Sequence, residues 1–191
     1  MFIQTETTPN PATLKFLPGR VVLEQGTAEF TTEADAEARS PLAARLMAIP
    51  EVTGVFFGYD FVTVTKDSGD WLHLKPAILA SLMEHFLGNE PVMAPGGHQE
   101  PAAAGEEFFE AGDAELVSMI KELLETRVRP AVAQDGGDIT FRGYKEGTVY
   151  LNMRGSCAGC PSSTATLKHG IQNLLRHFVP EVETVEAVEA A

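Results

Sequence analysis

The two cysteines of this 191-residue chain stand three positions apart, in Gly155-Ser156-Cys157-Ala158-Gly159-Cys160-Pro161-Ser162-Ser163-Thr164. Cysteines at that spacing fit about one tight turn, so both sulfurs can face one side and hold one metal centre. Gly155 and Gly159 permit the backbone angles of such a loop and leave room for a bulky inorganic group. Pro161 suits the first helical position, which puts Cys160 at the N-cap. There the free amides and the helix dipole favour the thiolate, the form that binds metal or attacks a disulfide. From Arg142 to Pro180, five basic side chains (Arg142, Lys145, Arg154, Lys168, Arg176) face one acid, Glu146. A metal centre held by several thiolates is anionic, and such a neighbourhood would stabilise it. Simple solvation of a sheet face and a helix face explains each of these residues equally well.

Three chemistries fit the motif. A dithiol oxidoreductase uses Cys-x-x-Cys at a helix N-terminus, but in a βαβ setting, whereas here a hairpin precedes the motif. A zinc-binding interaction module needs four ligands, and one chain offers two. His169 and His177 do not complete the set, because eight residues along one helix separate them by roughly 12 Å at about 1.5 Å per residue. An iron-sulfur cluster also wants four thiolates in its common forms, so two per chain implies two chains with the cluster on the symmetry axis. A cluster held at an interface is uncovered when the subunits part, which suits temporary carriage.

The rest of the composition narrows the field. A formal charge of -13 argues against nucleic-acid and anionic-membrane partners. Two cysteines in one short motif cannot staple distant parts of a secreted fold. No stretch has the length and apolarity of a membrane span. The start, Met1-Phe2-Ile3-Gln4-Thr5-Glu6, has neither a secretory signal nor an Arg-rich presequence, which places the chain in a bacterial cytoplasm. A mature organellar form is the less favoured alternative.

These residues are positioned by two units. Between Gly88 and Gly112, five glycines and three prolines sit among Ala and Glu, the composition of a flexible linker. It separates a first domain, residues 1–87, from a second, 113–191, with Phe108 and Phe109 expected to dock on the second. In the first, Phe2 to Thr5, Thr13 to Phe16, Val52 to Phe57 and Phe61 to Lys66 read as strands. Ser40-Pro41 opens a short helix, and a longer one from Asp70 presents Trp71, Leu74, Ile78, Leu82 and Phe86 on one face. In the second, Asp113 is expected to cap a helix carrying Leu116, Ile120, Leu123 and Leu124, which Arg129-Pro130 kinks or ends. Asp135-Gly136-Gly137-Asp138 is a turn into a strand at Ile139 to Phe141; Val149, Leu151 and Met153 alternate as a second strand. A last helix from Pro161 turns Leu167, Ile171, Leu174, Leu175 and Phe178 inward, and Glu181 to Val188 adds a strand. The fold class is α+β: two small domains, each a short, mostly antiparallel sheet with helices packed on it.

Leu124 to Ile139, with Arg129-Pro130 and Asp135-Gly136-Gly137-Asp138, followed by Gly155 to Ser163, resembles the NifU-like C-terminal domain of Nfu iron-sulfur proteins. Met1 to Gly19, with Thr8-Pro9-Asn10-Pro11 and Leu14-Lys15-Phe16-Leu17-Pro18-Gly19, resembles the Nfu N-terminal domain. The resemblance implies a non-enzymatic scaffold and carrier. Two chains bind one 4Fe-4S cluster through Cys157 and Cys160 of each, receive it from the upstream assembly machinery and pass it to apo iron-sulfur proteins. With no other thiol, the chain is expected to hold a single transferable site. A Ser at either position is expected to leave the monomer folded, neither cysteine being read as a core residue.

Overall fold

The computed structural model describes residues 1–97 and 107–188, in two compact units, Met1–Pro101 and Ala102–Ala191. Among the described residues no helix is long and apolar enough to cross a membrane.

The first unit is a five-stranded antiparallel sheet under helices. Its strands β1 (Gln4–Thr7), β2 (Thr13–Leu17), β3 (Ala28–Phe30), β4 (Val52–Phe57) and β5 (Val62–Lys66) lie in the order β1-β2-β5-β4-β3. Pro9 and Pro11 have no N–H for a ladder, so the chain turns there. The turn is closed by Thr8 Oγ1 donating to the Asn10 carbonyl at 2.8 Å and by Ala12 N donating to Asn10 Oδ1 at 3.0 Å. Thr32 caps α1 (Glu33–Arg39) and Ser40 caps α2 (Pro41–Met47), each accepting the backbone N–H three residues on. The long helix α3 (Trp71–Leu87) starts at the Asp70 cap and buries Leu74, Ile78, Leu82 and Phe86. These side chains join Phe16, Phe30, Val55, Phe57 and Val64 in one core, where each fully buried apolar side chain contributes about 1.5–3 kcal/mol. Strand β3 and helix α1 had no counterpart in the sequence reading.

The second unit has a three-stranded sheet. Strands β6 (Gly137–Lys145) and β7 (Thr148–Gly155) form an antiparallel hairpin. Its turn needs left-handed backbone at Glu146 and Gly147, which glycine takes without strain. From β7 the chain crosses through α6 (Pro161–Phe178) to β8 (Thr184–Val188), which pairs parallel with β7.

Pro130 does not end the helix before it. Helix α4 (Ala114–Leu123) runs into one π turn at Leu124–Val128 and then into α5 (Arg129–Gln134), with Pro130 in its first turn. The wider turn lets Arg129 N reach Leu124 O, and a proline at the start of α5 lacks only a donor that position does not use.

Three further expectations are corrected. Asp113 makes no capping bond and instead ends a short 3-10 turn, Ala111–Asp113. Of the apolar face expected on the first helix of this unit, Ile120 and Leu124 are buried as read, but Leu116 and Leu123 lie at the core's margin and Val117 takes a core position instead. Phe178 is 40% exposed, its ring covered by the Arg127 guanidinium at 5.0 Å rather than by the core.

The stretch read as a linker, 88–112, contributes its described residues to the units on either side. Val92 and Met93 pack on the first core, and Ala94 N donates to Arg39 O at 2.8 Å. Phe108 adds a bridge beside Gly143 and rests its ring 5.1 Å from that of Tyr150. Residues 98–106 of the stretch lie outside the described residues.

Candidate metal centre

Strand β7 ends at Gly155, whose φ of 64° turns the chain away from the sheet. A tight turn follows, with Ala158 N donating to Gly155 O at 3.1 Å. Gly159, at φ 76°, then redirects the chain into α6. Cys160 is the N-cap residue of that helix and Pro161 follows it in the first turn, the arrangement read from the sequence. The loop is tied back on itself: Thr164 Oγ1 donates to Cys157 O at 3.0 Å, and Thr164 N and Ser163 Oγ donate to Cys160 O at 2.9 and 3.2 Å.

The two thiols have unlike surroundings. Cys157 is 6% exposed and belongs to the hydrophobic core of the second unit, which corrects the reading of it as lying outside the core. Burial pushes its thiol up to about 11, with the Asp135 and Asp138 charges adding to the rise and a hydrogen bond to Ser156 opposing it. Cys160 is reached by solvent, with its sulfur 3.4 Å from Ser162 Oγ. Hydrogen bonds from the Ser162 and Ser163 side chains, and from the Ser163 amide at the start of the helix, bring it down to about 7. Near neutral pH, a substantial share of Cys160 is therefore available as thiolate while Cys157 stays protonated.

Elements distant in sequence hold the loop against the sheet. Ser156 N donates to Gly136 O at 3.2 Å, and Ser156 Oγ donates to the Asp135 carbonyl. Asp138 is buried and takes both arms of Arg129, Nε at 2.8 Å and a terminal nitrogen at 2.9 Å. Hydrogen bonding to Asp138 raises the Arg129 pKa further. Asp135 to Asp138 is thus a buttressed joint between α5 and β6, in keeping with its reading as a turn. Gly137 lies directly against Cys157, since a Cβ built there would stand 2.5 Å from its sulfur. Sequence reasoning noted Gly137 only as part of a turn, and it gave no role to Ser156, Thr164 or the Arg129 pair.

The basic cluster counted in sequence does not form around the thiols. Lys145 sits at the far end of the hairpin, about 25 Å from Gly137 at roughly 3.3 Å per residue. Arg176 is about 24 Å along α6 from Cys160 at roughly 1.5 Å per residue. Lys168 is paired with Glu186 on β8 at 2.7 Å, and of the five only Arg154 lies in the strand end beside the loop. His169 and His177 are exposed on α6. Among the described residues, no three His, Cys, Asp or Glu side chains gather into a group that could hold a metal ion. Cys157 and Cys160 can supply two ligands.

Comparison with known proteins bears on both units. Residues 3–89 match the family described as the scaffold protein Nfu/NifU N-terminal domain, and residues 120–186 match the NifU-like domain. A Homo sapiens protein named NFU1 iron-sulfur cluster scaffold homolog, mitochondrial, is 52% identical over 98% of this chain and 72% of its own length. The Drosophila erecta protein of the same name is 51% identical over 98% of this chain and 65% of its own. A solution structure of a NifU-like protein from Saccharomyces cerevisiae aligns at 28% identity and a TM-score of 0.45, over 49% of this chain and 85% of that one. The relatives are named mitochondrial, which overturns the placement in a bacterial cytoplasm and favours an organellar form. With both domain signatures present in order and half its residues identical to the human relative, the chain belongs to the Nfu/NifU family of scaffold proteins.

Proposed function

We propose that this chain is an iron-sulfur cluster scaffold and carrier: two copies bind one 4Fe-4S cluster through Cys157 and Cys160 of each, accept it from the assembly machinery and deliver it to apo-proteins. The cluster is cargo, and the chain acts as a carrier rather than a catalyst. The observation that carries the reading is the half-complete ligand set. Two thiols lie on one loop at a helix N-terminus, and they are the only cysteines in the sequence. Four thiolates then require a second copy. The relatives' names, which describe iron-sulfur cluster scaffolds, support the same reading.

Anaerobic reconstitution of the full chain is expected to give a brown dimer with about two iron atoms per chain. Cys157→Ser and Cys160→Ser should each strip the cluster. Transfer to a cluster-free acceptor should outpace free iron and sulfide. A monomer carrying a stoichiometric cluster would overturn sharing between chains. A colourless zinc-loaded protein, or iron-free catalytic turnover of disulfide substrates, would instead favour the zinc or dithiol reading.

A further inference from the structure

Gly136 and Gly137 are adjacent glycines that serve different needs. Gly136 holds φ at 81°, a left-handed value that favours glycine. Gly137 has no such backbone and pairs in regular antiparallel register with Gly155. Its requirement is spatial. A Cβ at Gly137 would lie 2.5 Å from Cys157 Sγ, 2.7 Å from Arg154 O and 3.2 Å from Cys157 N, all inside normal carbon contact distances. Gly159 makes the contrast within the same site, because a Cβ there would meet nothing within 4 Å.

We propose that Gly137 is a positioning residue for the thiol ligands: its bare α-carbon is the seat on which Cys157 Sγ rests. One sulfur is then placed by the sheet, whereas Cys160 is placed by the N-terminus of α6. The seat itself is braced from both sides. Asp138, the next residue, is clamped by Arg129 and also accepts Ile139 N at 2.9 Å. The preceding residue, Gly136, receives Ser156 N, from the residue just before Cys157. Strand start, sulfur and loop therefore form one packed unit, and any side chain at position 137 must displace the sulfur, the Arg154 carbonyl or both. The consequence for loading rests on the carrier reading, but the seat does not.

A double-mutant cycle on the cluster-free full chain separates the seat from the neighbouring Arg154 carbonyl. Gly137→Ala should lower the urea midpoint clearly in the parent chain and much less in a Cys157→Ala background. Where Gly137→Ala folds, iodoacetamide should label Cys157 several-fold faster than in the parent, with the Cys160 rate unchanged. A chain that folds with Gly137→Ala only when Cys157 is also replaced supports the seat. Equal losses in both backgrounds, or failure of both to fold, would overturn it, since the glycine would then be avoiding the carbonyl. Iron uptake is measured separately. If the parent chain takes up no cluster, the carrier reading fails while the cycle still decides on Gly137.

Discussion

The two units bury their polar groups to different ends. In the first, Ser40 caps a helix, Asn10 closes a turn, and the Thr13 and Thr65 hydroxyls meet at 2.8 Å between β2 and β5. Each of these satisfies backbone or joins neighbours in a sheet built over a large apolar core, and that unit contains no thiol. In the second, Arg129, Asp138, Ser156 and Thr164 all act on the few residues around Cys157. A three-stranded sheet gives a smaller apolar platform, and its polar links are spent on fixing a loop. The difference teaches that stability of the first unit is a matter of volume, while geometry in the second depends on a few directed contacts.

The largest test of that contrast lies in the first unit. Ile78 is 0% exposed on α3, so Ile78→Ala should cost about 2–5 kcal/mol. Hydrogen exchange should show the loss in β2, β4 and β5, with β6 and β7 protected as before. Equal loss of protection in β6 and β7 would break the distinction between the units.

In the second unit, the test is whether the core closes around a reactive group. With Cys160 near 7 and Cys157 near 11, raising the pH through neutrality converts Cys160 to thiolate and leaves Cys157 a thiol. The lower intrinsic nucleophilicity of the more acidic thiol offsets most of this difference, leaving a labelling ratio at pH 8 on the order of tenfold from ionisation alone, which the burial of Cys157 widens. Mass spectrometry after a short iodoacetamide pulse should find the label on Cys160. Comparable labelling of Cys157 would mean that the core leaves its sulfur open. Removing the brace should have a smaller effect: Asp138→Ala is expected to cost about 2 kcal/mol, below the usual range for a broken buried pair because Arg129 keeps Glu125 and is partly solvated.

Among the described residues, the first unit buries a titratable group in its core without a hydrogen bond to its side chain. His85 is fully buried, neither ring nitrogen has a hydrogen-bond partner among the described residues, and Glu90 stands 3.6 Å from Nδ1. Burial lowers its pKa below 6.5, Glu90 opposes the shift, and Arg45 and Arg20 add to it. The unfolded chain therefore binds the proton first as pH falls. Stability should drop below pH 6.5, by at most about 1.4 kcal/mol per pH unit from this group. His85→Leu should flatten that slope in urea titrations, and an unchanged slope would show that the core tolerates the charge.

What was legible in the sequence follows from range. The Cys-x-x-Cys loop, the α3 face and the β4–β5 hairpin are written in neighbouring residues, as periodicity or as turn chemistry. Strand β3 has three residues, and α1 buries only Ala36, too little pattern to stand out. The π turn hides because the proline that follows it ordinarily predicts a break. Charge counting gathered Lys145 and Arg176 near the thiols because adjacency in sequence carries no measure of distance along a strand or helix. The Gly137 seat was illegible for the same reason: its partner is twenty positions away, and only the hairpin register brings them together.

The smallest expected effect reverses the sign of the glycine argument. Gly170 lies exposed in the interior of α6, and a Cβ there would meet nothing within 4 Å. Gly170→Ala should stabilise the second unit by about 0.5–1 kcal/mol, because alanine loses less backbone freedom on entering a helix. The same chemical change at position 137 should destabilise it, so the pair of variants isolates space from conformation within one unit. Measured on the cluster-free chain and again after reconstitution, Gly170→Ala also maps the second copy. A gain retained in both states leaves the outer face of α6 at position 170 facing solvent, whereas a gain lost on dimerisation would place that face in the contact between copies.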